Sequence, residues 1–251
     1  MEQKRVIIVG ASSGIGFEVA RLFVARGCRV AVMARREELL RPLVESAPER
    51  VIARRIDVTA EGAGGQVVGL ADEMGGVDVY VHVAGVGWQN PLLDEAKDSA
   101  TIATDVVGFA SVVGEVYRYM RARGGGQIAV VSSIAGTKGL GVAASYSASK
   151  AFQARWVEAL AQLARMEGSG VVLTDIRPGF VATDFLGGST FPMLMDKRRV
   201  ARRILEACDR RKEVVVIDWR WRLLCWAWRL VPRWLWIRLR IGRIGERDDK
   251  D

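Results

Sequence analysis

The sequence predicts an α/β fold in which a doubly wound parallel sheet is covered by helices on both faces. Short runs rich in valine and isoleucine alternate along the chain with longer segments of helical periodicity, the pattern of repeated β-α units. The short runs are apolar almost throughout, as expected of strands buried on both sides. With 251 residues, of which 50% are hydrophobic, the chain is long enough for one such domain with a sizeable core.

The alternation predicts seven strands and six helices in order. The predicted strands are residues 5–9, 29–33, 51–57, 77–83, 127–132, 171–176 and 214–217. The predicted helices lie near residues 14–26, 37–46, 66–74, 99–122, 147–166 and 199–209. Because no repeat or low-complexity linker interrupts them, residues 1–217 are expected to form one domain. Residues 218–251 are expected to form a C-terminal extension with an amphipathic helical part and a charged end.

Composition narrows the function before any motif is considered. Three cysteines without paired spacing argue against a disulfide framework and a zinc site. The single histidine, His82, argues against a histidine-rich metal site or a Ser-His-Asp relay, so no metal is expected. The apolar run at residues 6–9 is too short for a signal peptide, and no stretch of about 18 uncharged apolar residues occurs. We therefore expect a cytoplasmic protein.

The first predicted strand runs directly into a glycine-rich turn, Gly10-Ala11-Ser12-Ser13-Gly14-Ile15-Gly16. Gly10 permits a tight turn, and the absent side chains at Gly14 and Gly16 let a pyrophosphate approach backbone N–H groups. The N-terminus of the helix that follows adds partial positive charge for the anion. A glycine cluster alone is weak, but its position between a first strand and a helix predicts a dinucleotide site.

Two further motifs complete a family pattern. Tyr146-Ser147-Ala148-Ser149-Lys150 and Arg177-Pro178-Gly179 follow the glycine turn in consistent order and spacing over roughly residues 5–217. On these motifs the chain resembles the classical short-chain dehydrogenase/reductase family. The resemblance implies a Rossmann fold with a seven-stranded, mostly parallel sheet, and hydride transfer with a nicotinamide cofactor. It also implies homodimers or homotetramers that associate through the helices near 99–122 and 147–166.

The pair Tyr146 and Lys150 carries the predicted chemistry. The two residues lie four apart at the start of a helical pattern, so their side chains share one face. A nearby ammonium lowers the pKa of a phenol, so Tyr146 is predicted to be the general acid in carbonyl reduction. Ser133 precedes Tyr146 by the family spacing of the serine that hydrogen-bonds the substrate oxygen, and this spacing favours it over Ser132. The resemblance further implies that Lys150 binds the nicotinamide ribose.

Arg35 predicts NADP(H) rather than NAD(H) as the cofactor. An NAD site usually ends its second strand in a carboxylate, about 20 residues after the glycines. Here Ala34 stands at that position and Arg35 follows it, and a guanidinium can pair with a 2′-phosphate. The alternative is that Arg35 is an ordinary solvated charge at the start of a surface helix.

The resemblance assigns further residues to the cofactor. They are Asp57 and Val58 beside the adenine, Ala84 and Gly85 beneath its ribose, and Pro178, Gly179, Val181 and Thr183 on the nicotinamide side. For Asp57 the residues alone leave an alternative open, because an aspartate at the end of a strand could equally be a cap.

Three positions depart from the family pattern: Val9, His82-Val83 and Asp105. Val9 replaces a threonine and His82-Val83 replaces Asn-Asn, with His82 interpreted as a satisfied histidine at a strand end. Asp105 falls where the family has its fourth catalytic residue, an asparagine whose main chain holds a water in the proton relay. A carboxylate there would change the pKa balance around Lys150. The departures at Asp105 and His82-Val83 leave open the alternative that the protein is a non-catalytic NADPH-binding regulator or a membrane-associated scaffold.

Residues 184–195 resemble the substrate lid of the family and offer an apolar lining of phenylalanine and methionine. This lining predicts a small lipophilic carbonyl compound or alcohol as substrate. The alternative is that the loop simply packs on the core.

Residues 219–240 hold six of the eight tryptophans, and residues 219–245 hold seven arginines and no acidic residue. On one continuous helix, one face would carry Leu224, Ala227, Trp228, Val231, Leu235 and Leu239. The opposite face would carry Arg222, Arg229, Arg233 and Arg240, with Trp226 and Trp236 among them. Pro232 is expected to kink or divide the helix.

This pattern fits an anionic membrane surface, at the inner face of a membrane, as well as a protein contact. The protein contact could be with the core, over the active-site mouth, or with another subunit. Nucleic acid is not an expected partner, because the segment belongs to no groove-reading motif.

Overall fold

The computed structural model describes residues 3–182 and 193–241, and within them seven strands form one parallel sheet. The strands are β1 (Arg5–Val9), β2 (Arg29–Ala34), β3 (Val51–Arg55), β4 (Val79–His82), β5 (Gly126–Val131), β6 (Val171–Arg177) and β7 (Val214–Val216). Their order is β3-β2-β1-β4-β5-β6-β7, and every neighbouring pair is parallel. The predicted doubly wound sheet is therefore confirmed. The order reverses between β1 and β4, where such sheets open a crevice for ligands.

Helices cover both faces of this sheet. They are α1 (Gly14–Ala25), α2 (Arg41–Ser46), α3 (Ala63–Glu73), α4 (Glu95–Ile102), α5 (Phe109–Ala122), α6 (Ala144–Glu167), α7 (Lys197–Asp209), α8 (Trp219–Leu230) and α9 (Arg233–Trp236). Alternate residues of β1 face different core layers: Val6 and Ile8 pack with α1, α7 and α8, whereas Ile7 and Val9 pack with α3, α5 and α6. This two-sided burial is why the strands are apolar at nearly every position.

The helix predicted near residues 99–122 begins earlier and has an irregular centre. Asp94 caps its start by accepting hydrogen bonds from the backbone N–H groups of Ala96 and Lys97. A π-helical turn at Ala103–Gly108 then joins α4 to α5 and contains Asp105. The first turn was not predicted because three of residues 95–98 are charged and the four show no apolar periodicity. Turns of this kind recur at functional sites because they re-aim one side chain.

By length and composition, Glu95–Ala122 is the one helix within the described ranges that could cross a membrane. The apolar residues of its second half are buried, however: Phe109, Val112, Val116 and Met120 all pack in the α3-α5-α6 layer. The segment is accordingly a core helix of this fold.

Smaller boundary shifts have local causes. Helix α3 starts at Ala63, three residues before its predicted start, and includes Gly64, where a Cβ atom would lie 2.5 Å from Cγ of Glu115 on α5. Gly64 therefore lets the two helices approach closely. Strand β3 ends at Arg55 instead of reaching residue 57, because Asp57 forms a turn with Thr59.

The C-terminal segment folds back onto the core as two helices. Pro232 divides it as predicted, since α8 ends at Leu230 and α9 begins at Arg233. The face assignment from one continuous helix is wrong in part: Trp236, expected among the arginines, is buried, whereas Leu235 and Leu239 are exposed. The break at Pro232 changes the helical phase, so the two halves do not share one apolar stripe. The division of the chain at residue 217 into separate folding units stays a prediction.

Candidate active site

A cleft of about 810 Å³ opens at the carboxyl ends of the strands, from the glycine turn to α8. Of the predicted site residues, those that line it are Gly10, Ser12, Ser13, Gly14, Ile15, Gly16, Arg35, Asp57, Val58, Ala84, Gly85, Ser133, Tyr146, Lys150, Pro178, Gly179 and Val181. Asp105 is the one predicted site residue within the described ranges that does not line the cleft; it lies behind the cleft wall. Thr183 lies outside the described residues, as do residues 184–192 of the predicted lid.

The glycine turn is tightly packed at two of its glycines. Gly10 has φ +95°, and a Cβ atom there would lie 2.4 Å from the backbone nitrogen of Ala84. A Cβ atom at Gly16 would lie 2.1 Å from the carbonyl oxygen of Gly10. Helix α1 then starts at Gly14 with no side-chain cap from Ser13 and no acidic residue in its first turn. Uncapped N–H groups beside the cleft fit the pyrophosphate of a dinucleotide.

The part of the cleft beside the end of β2 is basic. Arg35 and Arg36 follow β2, both exposed, and neither forms an ion pair with another described residue. Asp57 instead uses Oδ1 to accept hydrogen bonds from the backbone N–H (3.0 Å) and the hydroxyl (2.7 Å) of Thr59. Those bonds are the main cause of its lowered pKa, and the charges of Arg35 and Arg55 add to it. Asp57 is thus a strand-end cap that also borders the cleft.

Tyr146 and Lys150 share one face of α6, as their spacing predicts. The Lys150 ammonium lies 5.5 Å from the centroid of the Tyr146 ring. Burial raises the pKa of Tyr146 above its ordinary value, and the Asp105 carboxylate raises it too, while Lys150 and a hydrogen bond with Ser133 lower it. The balance is upward, contrary to the expected lowering, because spacing alone does not reveal the burial. The phenol is therefore protonated at neutral pH.

Lys150 is buried and held on two sides. Its Nζ lies 2.9 Å from Oδ2 of Asp105 and donates a 3.0 Å hydrogen bond to Oε1 of Gln153. Burial alone would lower the pKa of Lys150, but Asp105 and Tyr146 outweigh it and the pKa is raised. Gln153 also donates to the backbone oxygen of Asp105 at 3.0 Å. Gln153 was not among the predicted site residues. The one feature of the sequence that points to it is its position, three residues after Lys150 on the same helix face.

Asp105 is fully buried in the π-helical turn. Its Oδ1 accepts a 2.8 Å hydrogen bond from the backbone N–H of Val86, in the loop after β4. A Cβ atom at Gly85 would lie 3.1 Å from both Oδ1 of Asp105 and Nζ of Lys150, so the glycine makes room for this ion pair. Asp105 reaches the site through Lys150, as a positioning residue.

The adjacent serines have different environments. Ser132 donates a short hydrogen bond to the buried carboxylate of Asp175, which also pairs with Arg177 at 2.6 Å. Ser133 caps the short helix Ile134–Thr137 by accepting from the backbone N–H of Ala135, and it hydrogen-bonds Tyr146. The geometry therefore favours Ser133, as the spacing did.

His82 is buried and neutral. Its Nδ1 lies 2.8 Å from the Tyr80 hydroxyl, and its ring packs edge-on against Phe109 with centroids 5.2 Å apart. Burial first, and the charge of Lys150 second, lower its pKa to about 3. A hydrogen bond with the Ala84 backbone acts against that lowering. The contacts with Tyr80 and Ala84 fit the interpretation of His82 as a satisfied histidine at a strand end.

The C-terminal helices complete the cleft. The sequence alone did not decide whether this segment packs on the core, on a membrane or on another subunit. The buried Trp221 packs so closely on the chain after β6 that a Cβ atom at Gly179 would lie 2.3 Å from its Nε1. Leu224 and Trp228 continue the cleft wall along α8. Two polar contacts fix the segment further on: Lys138 Nζ donates to the backbone oxygen of Val231 (2.9 Å), and Trp236 Nε1 donates to that of Gly139 (2.7 Å).

The predicted lid is described from Met193 onward. Met193 lines the cleft and Leu194 is half-exposed. Met195 is buried and forms an isolated parallel bridge with Val181, in which its N–H donates to the oxygen of Phe180 at 2.9 Å. This end of the lid is thereby tied to the loop that follows β6.

Comparisons with known proteins agree with this geometry. Residues 4–190 match the profile of the short chain dehydrogenase family. An uncharacterized oxidoreductase of Myxococcus xanthus is 36% identical over 199 residues, covering 77% of this chain and 78% of the relative. An uncharacterized oxidoreductase of Mycobacterium tuberculosis is 29% identical over 248 residues, covering 94% of each chain. A solved short chain dehydrogenase from Burkholderia cenocepacia, in complex with NADP, has a TM-score of 0.82 at 22% identity over 96% of this chain and 99% of its own.

Proposed function

The chain belongs to the short-chain dehydrogenase family and is an oxidoreductase of that type, and we propose that it reduces a lipophilic ketone with NADPH in a reversible carbonyl–alcohol interconversion. One observation carries the proposal. Ser133, Tyr146 and Lys150 meet at one wall of a cleft whose other end is the glycine turn at the start of α1.

The three residues divide the work on the substrate. A nicotinamide cofactor, held by the glycine turn and the loop that contains Val181, supplies the hydride when bound. Ser133 donates a hydrogen bond to the substrate oxygen and polarises the carbonyl. Tyr146 gives its proton to the same oxygen, and its raised pKa keeps that proton available at neutral pH. The Lys150 ammonium stabilises the phenolate that remains and binds the nicotinamide ribose.

Preference for NADP(H) is supported by charge at the adenosine end. Arg35 is exposed at the cleft, with no ion pair among the described residues, and the carboxylate that would repel a 2′-phosphate is replaced by Ala34. A guanidinium binds a phosphate through paired, charge-assisted hydrogen bonds. The similar Burkholderia cenocepacia enzyme is in complex with NADP.

A lipophilic substrate is supported by the walls around Tyr146. The cleft that contains Tyr146 is also lined by Trp88 in the loop after β4, Val142 before α6, Met193, and Trp228 on α8. A sugar or an organic acid would leave its polar groups unpaired on such walls, at a cost that a hydrocarbon does not incur.

A homodimer or homotetramer formed through α5 and α6 is part of the same proposal, on the family's example. A non-catalytic NADP(H)-binding protein is the second candidate. One observation favours it: the Lys150 ammonium is already paired with Asp105 at 2.9 Å, a partner that the family's asparagine would not provide.

The first experiment compares oxidation of NADPH and NADH against a panel of lipophilic ketones, for the wild type and Tyr146→Phe. Turnover that prefers NADPH and falls about 10²- to 10⁴-fold in Tyr146→Phe is expected, because the variant keeps the ring but loses the proton. NADPH binding without Tyr146-dependent turnover would favour the second candidate.

The cofactor preference has its own variant. Arg35→Ala is expected to raise the KM for NADPH by about tenfold or more and leave that for NADH unchanged, because a charge-assisted contact to phosphate is lost. Arg41→Ala, an exposed arginine at the start of α2, is the matched control. A wild type that prefers NADH would contradict the assignment of Arg35.

A further inference from the structure

Helix α8 carries two apolar stripes on opposite sides, and the fold uses one of them. With 3.6 residues per turn, Trp221, Leu224, Cys225 and Trp228 lie on one side of the helix. This stripe faces the core and the cleft. The opposite side carries Trp219, Leu223, Trp226 and Leu230, whose residues are between 57% and 67% exposed.

The exposure of large apolar side chains continues past Pro232. Trp234 is 61% exposed and Ile237 is 69% exposed, although Trp236 between them is buried. We call the exposed stripe of α8 the outer tail face: Trp219, Leu223, Trp226 and Leu230. Trp234 and Ile237 are further exposed apolar residues of the same segment. Six large apolar residues exposed on one short segment are unusual for a soluble monomer and are typical of a binding surface.

The charged residues within the tail segment are all positive. Residues 219–241 contain six arginines and no acidic residue. Among the described residues Arg220 alone of these forms an ion pair, with Asp218 at 2.9 Å. Arg222 and Arg229 lie seven residues apart on the same flank of α8, beside the outer stripe. An apolar stripe flanked by uncompensated arginines complements a surface that is apolar beneath and anionic at its headgroups.

The mouth of the cleft has an apolar rim beside this segment. Trp88 lines the cleft and is 43% exposed, and Leu194, next to Met193 of the cleft wall, is 44% exposed. In the loop after β4, Pro91 shares a groove with Trp236 and precedes Leu92, which is 89% exposed. The tail segment and the loop after β4 therefore meet at the groove that Pro91 and Trp236 line.

We propose that the outer tail face binds an anionic phospholipid bilayer, with α8 lying in the interface on the cytoplasmic side. Helix α8 has 12 residues, about 18 Å, which is too short to cross a hydrocarbon core of about 30 Å. The arginines beside the stripe reach the headgroups while the tryptophans and leucines enter the acyl boundary.

Flotation of the full-length protein with vesicles tests the lipid contact directly. Vesicles of phosphatidylcholine alone are compared with vesicles that also contain phosphatidylglycerol. The wild type is expected to bind the second and not the first. Arg222→Gln with Arg229→Gln is expected to weaken binding roughly thirtyfold, because each arginine near an anionic surface contributes about a factor of five. Trp226→Ser with Leu230→Ser is expected to abolish insertion, seen as loss of lipid-induced blue shift in tryptophan fluorescence.

Matched controls separate this surface from general stickiness. Met166→Ser removes an exposed apolar residue at the end of α6, and Arg118→Gln removes an exposed arginine on α5. Both are expected to bind vesicles as the wild type does. Failure of the wild type to bind phosphatidylglycerol vesicles, or equal loss in the controls, would overturn the proposal. So would a change in oligomeric state in the tail variants, which would identify the surface as a subunit contact.

Tyr146→Phe distinguishes this proposal from the proposed function. It is expected to lose turnover and to bind vesicles like the wild type, because Tyr146 lies outside the outer tail face. Lipid binding without turnover in the wild type would overturn the enzymatic proposal alone.

Discussion

Helices α6 and α8 line the same cleft, yet their sequences constrain them very differently. Helix α6 has one buried face, and that face contains polar residues: Ser147, Lys150 and Gln153 are buried while Arg155 and Glu158 are exposed. Polar groups buried on a helix have to find partners, so their pattern indicates a site. Helix α8 has apolar stripes on both sides, so its sequence does not say which one is inside. Buried polar side chains on a helix therefore indicate a functional site, whereas apolar side chains indicate only that a surface packs against something.

The largest expected effect separates the two stripes of α8. Trp221→Ala is expected to lower the free energy of unfolding by about 3–5 kcal/mol, because it empties a buried site in the core against Phe180. Trp226→Ala, on the exposed side, is expected to change it by no more than about 0.5 kcal/mol. Chemical denaturation of both variants measures the difference. Equal effects would mean that the inner stripe does not contribute to the fold as described.

The next effect tests how closely α8 sits on the loop after β6. Gly179→Ala is expected to cost about 1–3 kcal/mol, because its Cβ atom would lie 2.3 Å from Nε1 of Trp221. In a Trp221→Ala background the same change is expected to cost much less, since the clashing ring is gone. A double-mutant cycle on the free energy of unfolding measures this coupling. Additive effects would show that the two residues are not in contact.

The smallest expected effect concerns the buried ion pair beneath α6. In the proposed mechanism reduction needs protonated Tyr146, so the rate of reduction is expected to fall as pH rises through the Tyr146 pKa. The Asp105 carboxylate raises that pKa, so Asp105→Asn is expected to move the alkaline limb of kcat to lower pH. The rising limb of alcohol oxidation, which needs tyrosinate, is expected to move the same way. A limb that stays in place or moves to higher pH would contradict a positioning role for Asp105.

Much of the fold and half of the site follow from local sequence. The glycine turn, the Tyr146–Lys150 pair and the alternation of strands and helices are short-range patterns, each read within one or two elements. Two boundaries were missed for different reasons. Helix α3 begins earlier at a close approach to α5 that Gly64 permits, a contact between two elements, whereas β3 is shortened by the local turn of Asp57 with Thr59.

The sequence by itself determined the doubly wound sheet, because the sheet depends on the periodicity and order of strands and helices. It also determined that Tyr146 and Lys150 share a helix face, because that depends on their spacing. Tertiary structure alone decided that Asp105 pairs with Lys150 and that burial, not the ammonium, dominates the pKa of Tyr146. It also decided which stripe of α8 closes the cleft and which remains exposed. Such outcomes depend on distances between segments far apart in the chain, and desolvation and packing act only once those segments have come together.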